Sequence, residues 1–245
     1  MEVITSTSNQ YVKLARSLSQ KKVRDELDLF VVEGVNILKD MPALTVEFFL
    51  VDEEKVESFA SITQKFAAPV YLVQSRIFSA VSDTVSPQGI IAVVKRKILD
   101  FTLPDGNALV LDKVADAGNL GTILRTAAAA DFSSVYMLEC ADFYSPKVVR
   151  ASMGGIFKIK CYNVNESEAL SVISATQSYA LDMDGKPLSQ LKKSSPITLI
   201  GGSEAQGIRE SLMHAAKQIV SLPMENDMES LNVAVALAVA MYSIK

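Results

Sequence analysis

The last helix of the chain limits its fold more than any other stretch. After Asn232 the sequence reads VAVALAVAM over residues 233–241, which makes the predicted helix apolar on every face. Such a helix is either buried or spans a membrane, and this run is shorter than the roughly 20 residues that a bilayer requires. We therefore expect no membrane span and a helix buried in its own fold or in a partner subunit.

A polar stretch, PMENDMESLN, leads into this helix over residues 223–232. Ser230 is the predicted N-cap, because its hydroxyl can accept hydrogen bonds from the free N–H groups of the first turn. Ser230 and Asn232 therefore lie at the mouth of the buried helix. A polar segment that enters a buried helix N-terminus suits a ligand site better than a simple turn.

The composition indicates a folded protein of one large or two modest domains. The chain has 245 residues, of which 49% are hydrophobic, enough for an ample core. Its first residues lack the basic and apolar regions of a signal peptide, so we expect a cytoplasmic protein. Cys140 and Cys161 are too few for a disulfide framework and lack zinc-site spacing, so we expect reduced or buried thiols and no metal site.

Positive charge is concentrated at the amino-terminal end, although the net charge of the chain is −4. A basic stretch on an acidic body fits a phosphate-binding face. An ordinary solvated helix face would carry the same charges. The candidate RNA-binding residues are Lys13, Arg16, Lys21, Lys22 and Arg24.

Alternating strands and helices predict two α/β modules. The first covers residues 1–97, and the Pro104-Asp105-Gly106 run marks a linker at 98–107. In the second, over residues 108–245, we predict a mostly parallel sheet with helices on both faces. Its predicted strands are 108–111, 134–138, 155–162, 179–183, 197–200 and 219–222.

Three polar stretches follow predicted strands of the second module, where open α/β sheets bind ligands. They cover residues 112–125, 201–207 and 221–232. Their side chains most suited to orienting a substrate are Asn119, Arg125, Glu204, Ser230 and Asn232.

Several enzyme classes are disfavoured by what these stretches lack. The single histidine, His214, lies in the middle of a predicted helix away from all three, which disfavours histidine-based nucleophilic catalysis. No G-K-[ST] phosphate loop occurs, and Ser203-Glu204 interrupt the glycines that a dinucleotide fingerprint needs. What remains is a pocket of backbone and apolar groups with no obvious strong base.

The three polar stretches also resemble a known family. NLGTILRTA (119–127), GGSEAQG (201–207) and LPM…ESLNVAVA (222–236) resemble, in order and spacing, the three motifs of the SpoU/TrmH family. Members of that family are S-adenosylmethionine-dependent RNA 2′-O-ribose methyltransferases. YSPKVVRASMGGIF (144–157) resembles the segment between the motifs. Residues 4–34 resemble the family's substrate-binding domain, which is similar to RNA-binding ribosomal proteins.

The resemblance implies a deep trefoil knot in the second domain, a homodimer formed through it, and an active site completed at the dimer interface. It also implies a catalytic role for Arg125, with Asn119, Glu204, Ser230 and Asn232 as the other motif residues. Ala117 and Asp131-Phe132 depart from the family pattern without removing these groups. By the same resemblance, S-adenosylmethionine would contact Leu181, Gly202, Leu222, Pro223 and Leu231.

Two questions stay open at this point. Arg125 is either the base of the reaction or a clamp on a substrate phosphate, and guanidinium is normally always protonated. The RNA is expected to be ribosomal rather than transfer RNA, because the amino-terminal domain resembles those of rRNA-directed members. The alternatives are a tRNA methyltransferase, a non-catalytic RNA-binding or ribosome-assembly protein, and a nucleotide- or NAD-binding enzyme.

Overall fold

The chain forms two compact units. Residues 1–98 with 144–154 form the first unit, and residues 99–143 with 155–245 form the second. The computed structural model describes residues 3–42, 46–82, 84, 86–190, 196–203, 205–226, 228 and 230–244.

Strands and helices alternate through most of the chain. The strands are β1 (Val3–Ile4), β2 (Leu29–Glu33), β3 (Val46–Asp52), β4 (Val70–Val73), β5 (Ile90–Lys95), β6 (Ala108–Asp112), β7 (Ser134–Leu138), β8 (Lys160–Asn163), β9 (Gln177–Pro187), β10 (Ile197–Gly202) and β11 (Gln218–Ser221). The α-helices are α1 (Gln10–Ser17), α2 (Lys21–Leu27), α3 (Val35–Asp40), α4 (Val56–Thr63), α5 (Ser75–Val81), α6 (Ala117–Ala129), α7 (Pro146–Ala151), α8 (Glu166–Ala175), α9 (Glu210–Ala215) and α10 (Val233–Ser243). Short 3-10 helices cover Glu53–Lys55, Gly155–Phe157 and Leu188–Gln190.

The first unit is built on a mixed five-stranded sheet in the order β1-β4-β3-β5-β2. Strand β5 runs antiparallel to both β2 and β3, and the remaining pairs are parallel. Apolar residues of α1 and α5, including Val12 and Phe78, are buried against Phe48 and Leu50 of the sheet. The predicted small α/β module is therefore present.

Helix α7 belongs to the first unit, although the sequence placed residues 144–154 in the second domain. Its Val148 and Val149 are fully buried. The Tyr144 ring packs 4.7 Å from that of Phe30, and Arg150 forms an ion pair of 3.8 Å with Glu33 of β2. Burial of these apolar groups holds the segment in the first unit, which the position of α7 along the chain does not reveal.

The second unit contains a six-stranded sheet in the order β11-β9-β10-β6-β7-β8, and every described pair in it is parallel. Val110 and Ile200 pack with Leu212 of α9 on one face. Gly201, the next residue of β10, meets Leu237 of α10 on the opposite face, because successive strand residues point to opposite sides. The predicted parallel sheet with helices on both faces is confirmed.

The predicted strand at 155–162 is wrong in its first half. Gly155–Phe157 form a 3-10 helix, and the strand begins only at Lys160. A side chain at position 155 would place its Cβ 2.8 Å from both the Cα of Arg125 and the carbonyl oxygen of Leu124. Glycine therefore allows this segment to pack directly against the backbone of α6, which an extended strand could not do.

Helix α10 is not buried on every side within its own unit. Leu237 and Met241 are buried, whereas Val235, Val239 and Tyr242 are 48%, 43% and 54% exposed. The three exposed residues follow a spacing of four and three, so they form one apolar face. Within a single chain, the helix is therefore covered on one side only.

Both cysteines are free. Burial raises the pKa of each thiol, Cys140 and Cys161, to about 12. A protonated, buried thiol is unreactive at neutral pH, which agrees with the expected reduced thiols.

Candidate active site

A cavity of about 350 Å³ lies where β9, β10 and β11 approach the start of α10. Its volume falls within the usual range of small-molecule sites. The pairing of β11 with β9 passes from Ala180 directly to Lys186, so residues 181–185 leave the ladder, and residues 181–183 line the cavity. Four of the five predicted cofactor residues line the cavity, namely Leu181, Gly202, Leu222 and Leu231, together with Ser230. Pro223 is exposed and does not line it.

The glycines at the end of β10 permit the tight loop that forms one wall of this cavity. A Cβ at Gly202 would lie 2.2 Å from the carbonyl atoms of Gly207. Gly207 itself has φ 65°, and its N–H donates to the Ser203 carbonyl oxygen at 2.9 Å. Since no larger residue fits at Gly202, the loop folds directly onto the strand and presents backbone groups next to apolar side chains. The cavity is therefore lined by backbone groups of the loop and by apolar side chains.

Asn119 and Asn232 are brought together from positions 113 residues apart in the sequence. The Asn232 amide donates to Oδ1 of Asn119 at 3.1 Å. Asn232 also caps α10, because its Oδ1 accepts from the N–H groups of Ala234 and Val235 at 3.0 and 3.4 Å. The predicted cap at Ser230 is therefore wrong by two residues. Asn232 lies between Leu231 and Val233, which both line the cavity.

Arg125 does not line the cavity of its own chain. It lies on α6, six residues after Asn119, and its side chain is exposed. Within the described part of the chain, its guanidinium has no ion-pair or hydrogen-bond partner. Its charge is thus available to a ligand outside the fold. Glu204, the remaining motif residue, lies outside the described residues.

A buried ion pair between Asp112 and Arg209, which was not predicted from the sequence, connects the loop after β10 to the sheet. Asp112, the last residue of β6, is 1% exposed and receives four hydrogen bonds from Arg209. The shortest joins Nη2 to Oδ1 at 2.7 Å, and one of the four comes from the Arg209 backbone N–H. These bonds to the Asp112 carboxylate raise the pKa of Arg209 above its ordinary value. An acid directly after a buried strand could have marked Asp112, but no sequence pattern pairs it with a residue 97 positions away.

The basic amino-terminal residues fall into two groups. Lys13 and Arg16 are exposed on α1 and line a groove of about 490 Å³ in the first unit, together with Arg150 of α7. Lys21 and Lys22 are also exposed, but each forms an i,i+4 ion pair, with Asp25 and Glu26 respectively.

Arg24 cannot contact RNA in this structure, so its predicted role is wrong. The side chain is buried, and its Nη1 donates to the carbonyl oxygens of Leu18 and Ser19 at 2.6 and 2.8 Å. The guanidinium thereby satisfies two carbonyls at the end of α1, and a buried charge needs such partners.

Most of the second unit matches a known protein family. The SpoU rRNA methylase family matches residues 106–242, which include the cavity and both asparagines. The chain belongs to this family. The MRM3-like substrate binding domain matches residues 9–92 in the first unit. Membership identifies the chain as an RNA methyltransferase, and the family predicted from the motifs is confirmed.

Individual members of the family are similar over nearly the whole chain. The 23S rRNA (guanosine(2553)-2′-O)-methyltransferase RlmP of Bacillus subtilis (strain 168) is 30% identical over the full length of both proteins. A 23S rRNA (adenosine(1067)-2′-O)-methyltransferase of Streptomyces azureus is 28% identical over 91% of this chain and 88% of that protein. The crystal structure of an AdoMet-bound rRNA methyltransferase from Sinorhizobium meliloti has a TM-score of 0.87 and 28% identity, and covers 99% of this chain and 97% of its own.

The comparison bears on the alternatives as well. None of the helices in the described residues has the length and hydropathy to span a membrane. A nucleotide- or NAD-binding enzyme of another family is excluded by the family membership.

Proposed function

We propose that this protein transfers a methyl group from S-adenosylmethionine to a ribose 2′-hydroxyl of ribosomal RNA. The observation that carries the proposal is the cavity beside the Asn119–Asn232 pair, because four predicted cofactor residues converge there, Gly202, Leu222 and Leu231 from two of the motifs and Leu181 from β9. The similar proteins of Bacillus subtilis and Streptomyces azureus are named for 2′-O-methylation of 23S rRNA, which favours rRNA over tRNA.

S-adenosylmethionine, when bound, supplies a methyl group activated by a positively charged sulfur. The apolar side chains of Leu181, Leu222 and Leu231 would hold its adenosine, and the Gly202 backbone would allow a close approach. Pro223 supports the segment beside Leu222. Asn119 and Asn232 orient the target ribose, since positioning supplies much of the rate of such a transfer.

Arg125 binds the phosphate next to the target ribose. An exposed arginine side chain offers a phosphate both positive charge and several N–H donors. A bidentate contact with phosphate fixes the RNA strand as well as neutralising its charge. Ser230 and the two asparagines complete the polar group around the reacting hydroxyl, and Glu204 stays a catalytic candidate on the strength of its motif.

The active site is shared between two copies of the chain. Arg125 does not line the cavity of its own chain, which favours an arrangement in which a second copy brings its Arg125 to that cavity. The exposed apolar face of α10, formed by Val235, Val239 and Tyr242, supplies a contact surface of the kind that homodimers bury. The trefoil knot expected from the family stays a prediction.

The first unit binds the RNA outside the reacting nucleotide. Lys13 and Arg16 in the groove contact phosphates, and Lys21 and Lys22 add weaker attraction because acids already partner them. An enzyme that acts on ribosomal RNA works where ribosomes are assembled, which for a bacterial-type protein is the cytoplasm.

Transfer of labelled methyl from S-adenosylmethionine to total rRNA and, in parallel, to total tRNA tests this function. We expect label in rRNA only, at one position that resists alkaline cleavage, and its loss in Arg125→Ala. The matched control is Arg76→Ala, which removes a different exposed arginine, one that lies in the first unit. Label in tRNA alone would reassign the substrate. Binding of S-adenosylmethionine without methyl transfer to naked RNA or to precursor RNA would indicate a protein that binds RNA but does not methylate it.

A further inference from the structure

One charge stands out in the wall of the cofactor cavity. Asp182 is the single charged side chain among the described residues that line the cavity, and the others are aliphatic side chains, methionines, serines and glycines. It lies in the segment 181–185 that leaves the strand ladder. Its Oδ1 accepts the N–H of Asp184 at 3.1 Å, which orients the carboxylate locally and leaves its second oxygen available.

A negative charge in this position complements one specific feature of the cofactor. S-adenosylmethionine carries a permanent positive charge on its sulfur, and burying a cation in an apolar cavity is costly unless an opposite charge compensates it. Attraction between charges is also stronger in a partly enclosed, mostly apolar site than in water. Among the described lining residues, only Asp182 can supply that compensation.

We propose that Asp182 binds the sulfonium charge of S-adenosylmethionine and makes the site prefer the cofactor over its demethylated product. This inference rests on the proposed function. S-adenosylhomocysteine has a neutral thioether in place of the sulfonium, so the attraction to Asp182 exists for the cofactor and is absent for the product. Asp182 therefore favours release of the product and limits product inhibition.

Two simpler roles for Asp182 make different predictions. If the carboxylate only held the turn through Asp184, removing its charge would change neither affinity. If it bound the ribose hydroxyls of the adenosine, its loss would weaken both ligands equally, because cofactor and product share that ribose. Selective loss of affinity for the charged ligand is specific to the sulfonium role.

Isothermal titration of the full-length protein with S-adenosylmethionine and with S-adenosylhomocysteine tests the proposal. Asp182→Asn keeps an oxygen acceptor for the Asp184 N–H and removes the charge. We expect about a tenfold loss of affinity for S-adenosylmethionine and a change below about twofold for S-adenosylhomocysteine. The exposed neighbour provides the matched control, because Asp184→Asn removes an equal charge outside the cavity.

Sinefungin, which carries a protonated amine at the place of the sulfonium, should follow S-adenosylmethionine in this comparison. A second variant, Asp182→Ser, should reproduce the selective loss, and thermal unfolding of each variant verifies that it is folded. An equal loss for both ligands, or no loss for either, overturns the role of Asp182 alone. A wild-type protein that binds neither ligand overturns the proposed function along with it.

Discussion

At the scale of single residues, Asn232 performs two tasks with two different atoms. Its Oδ1 caps α10, while its amide nitrogen donates to Asn119. The first task concerns stability, and the second concerns the position of the two asparagines at the cavity. Substitutions that keep one atom and remove the other can separate them.

Asn232→Asp and Asn232→Ala form such a pair. Aspartate keeps the capping oxygen, so we expect nearly unchanged stability, whereas alanine should lower the free energy of unfolding by about 1 kcal/mol. Both variants lose the amide group that donates to Asn119, so both should lose methyl transfer. Urea denaturation and the transfer assay measure the two effects. Full activity in Asn232→Asp would show that the Asn119 contact is dispensable.

Arg24 and Arg125 show why residue type alone does not assign a role. Both arginines lie on helices, α2 and α6, yet Arg24 is buried against two carbonyls and Arg125 is exposed. Only the second has a charge available to phosphate.

At the scale of elements, the loop after β10 depends on its attachment to β6. Arg209 follows the loop and binds the buried Asp112, and it also contacts Glu139 and Glu166 at 3.1 and 3.3 Å. The cavity wall at Gly207 and Ile208 lies directly before this anchor. The loop is therefore held at its start by β10 and at its end by the ion pair between Arg209 and Asp112.

Arg209→Met should loosen the loop and destabilise the second unit. It leaves the Asp112 carboxylate buried without its partner, which costs about 3–5 kcal/mol in comparable ion pairs. We also expect weaker binding of S-adenosylmethionine because the wall becomes mobile. Adding Asp112→Asn should recover part of the stability, since the two residues are coupled. Urea denaturation measures both variants, and simple additivity of the two losses would contradict the coupling.

The same cluster makes stability depend on pH in a defined direction. The Ser211 hydroxyl, and after it Arg209, lowers the pKa of Glu166 below its ordinary value of 4.5. A lowered folded-state pKa contributes stability that is present above 4.5 and is lost as the pH falls through the folded value.

Ser211→Ala should therefore raise the pKa of Glu166 toward 4.5. The stability difference between wild type and variant should be largest near neutral pH and should shrink as the pH falls below that value. Carboxyl NMR titration and urea midpoints at several pH values measure it. Ser171→Ala, on α8, serves as control because that hydroxyl donates to the Ser167 carbonyl oxygen. A difference independent of pH would assign the effect to packing.

At the scale of the whole molecule, the central question is whether one copy of the chain completes the cavity of another. Arg125→Ala removes the phosphate contact but keeps the cavity. Gly202→Val should disrupt the cavity, because a Cβ there would lie 2.2 Å from the Gly207 carbonyl and would displace this wall, and it keeps Arg125.

Each variant alone should be inactive, and a mixture allowed to exchange subunits should regain activity. Half of the dimers would then be mixed, each with one intact site, so we expect about a quarter of the wild-type rate. The transfer assay on equal mixtures measures this. The control is an equal mixture of the two variants in which the subunits have not exchanged. No recovery, despite exchange shown by mass spectrometry, would place Arg125 and the cavity of one chain in the same site.

The sequence alone determined the parallel sheet, the position of the ligand loops at strand ends, and the family, because these follow from apolar runs, glycine positions and ordered motifs along the chain. Tertiary structure decided which side chains meet. It paired Asp112 with Arg209 and Asn119 with Asn232, buried Arg24, and placed α7 in the first unit. Local sequence patterns predict helices, strands and turns. Contacts between residues about a hundred positions apart form only when the sheets and helices pack.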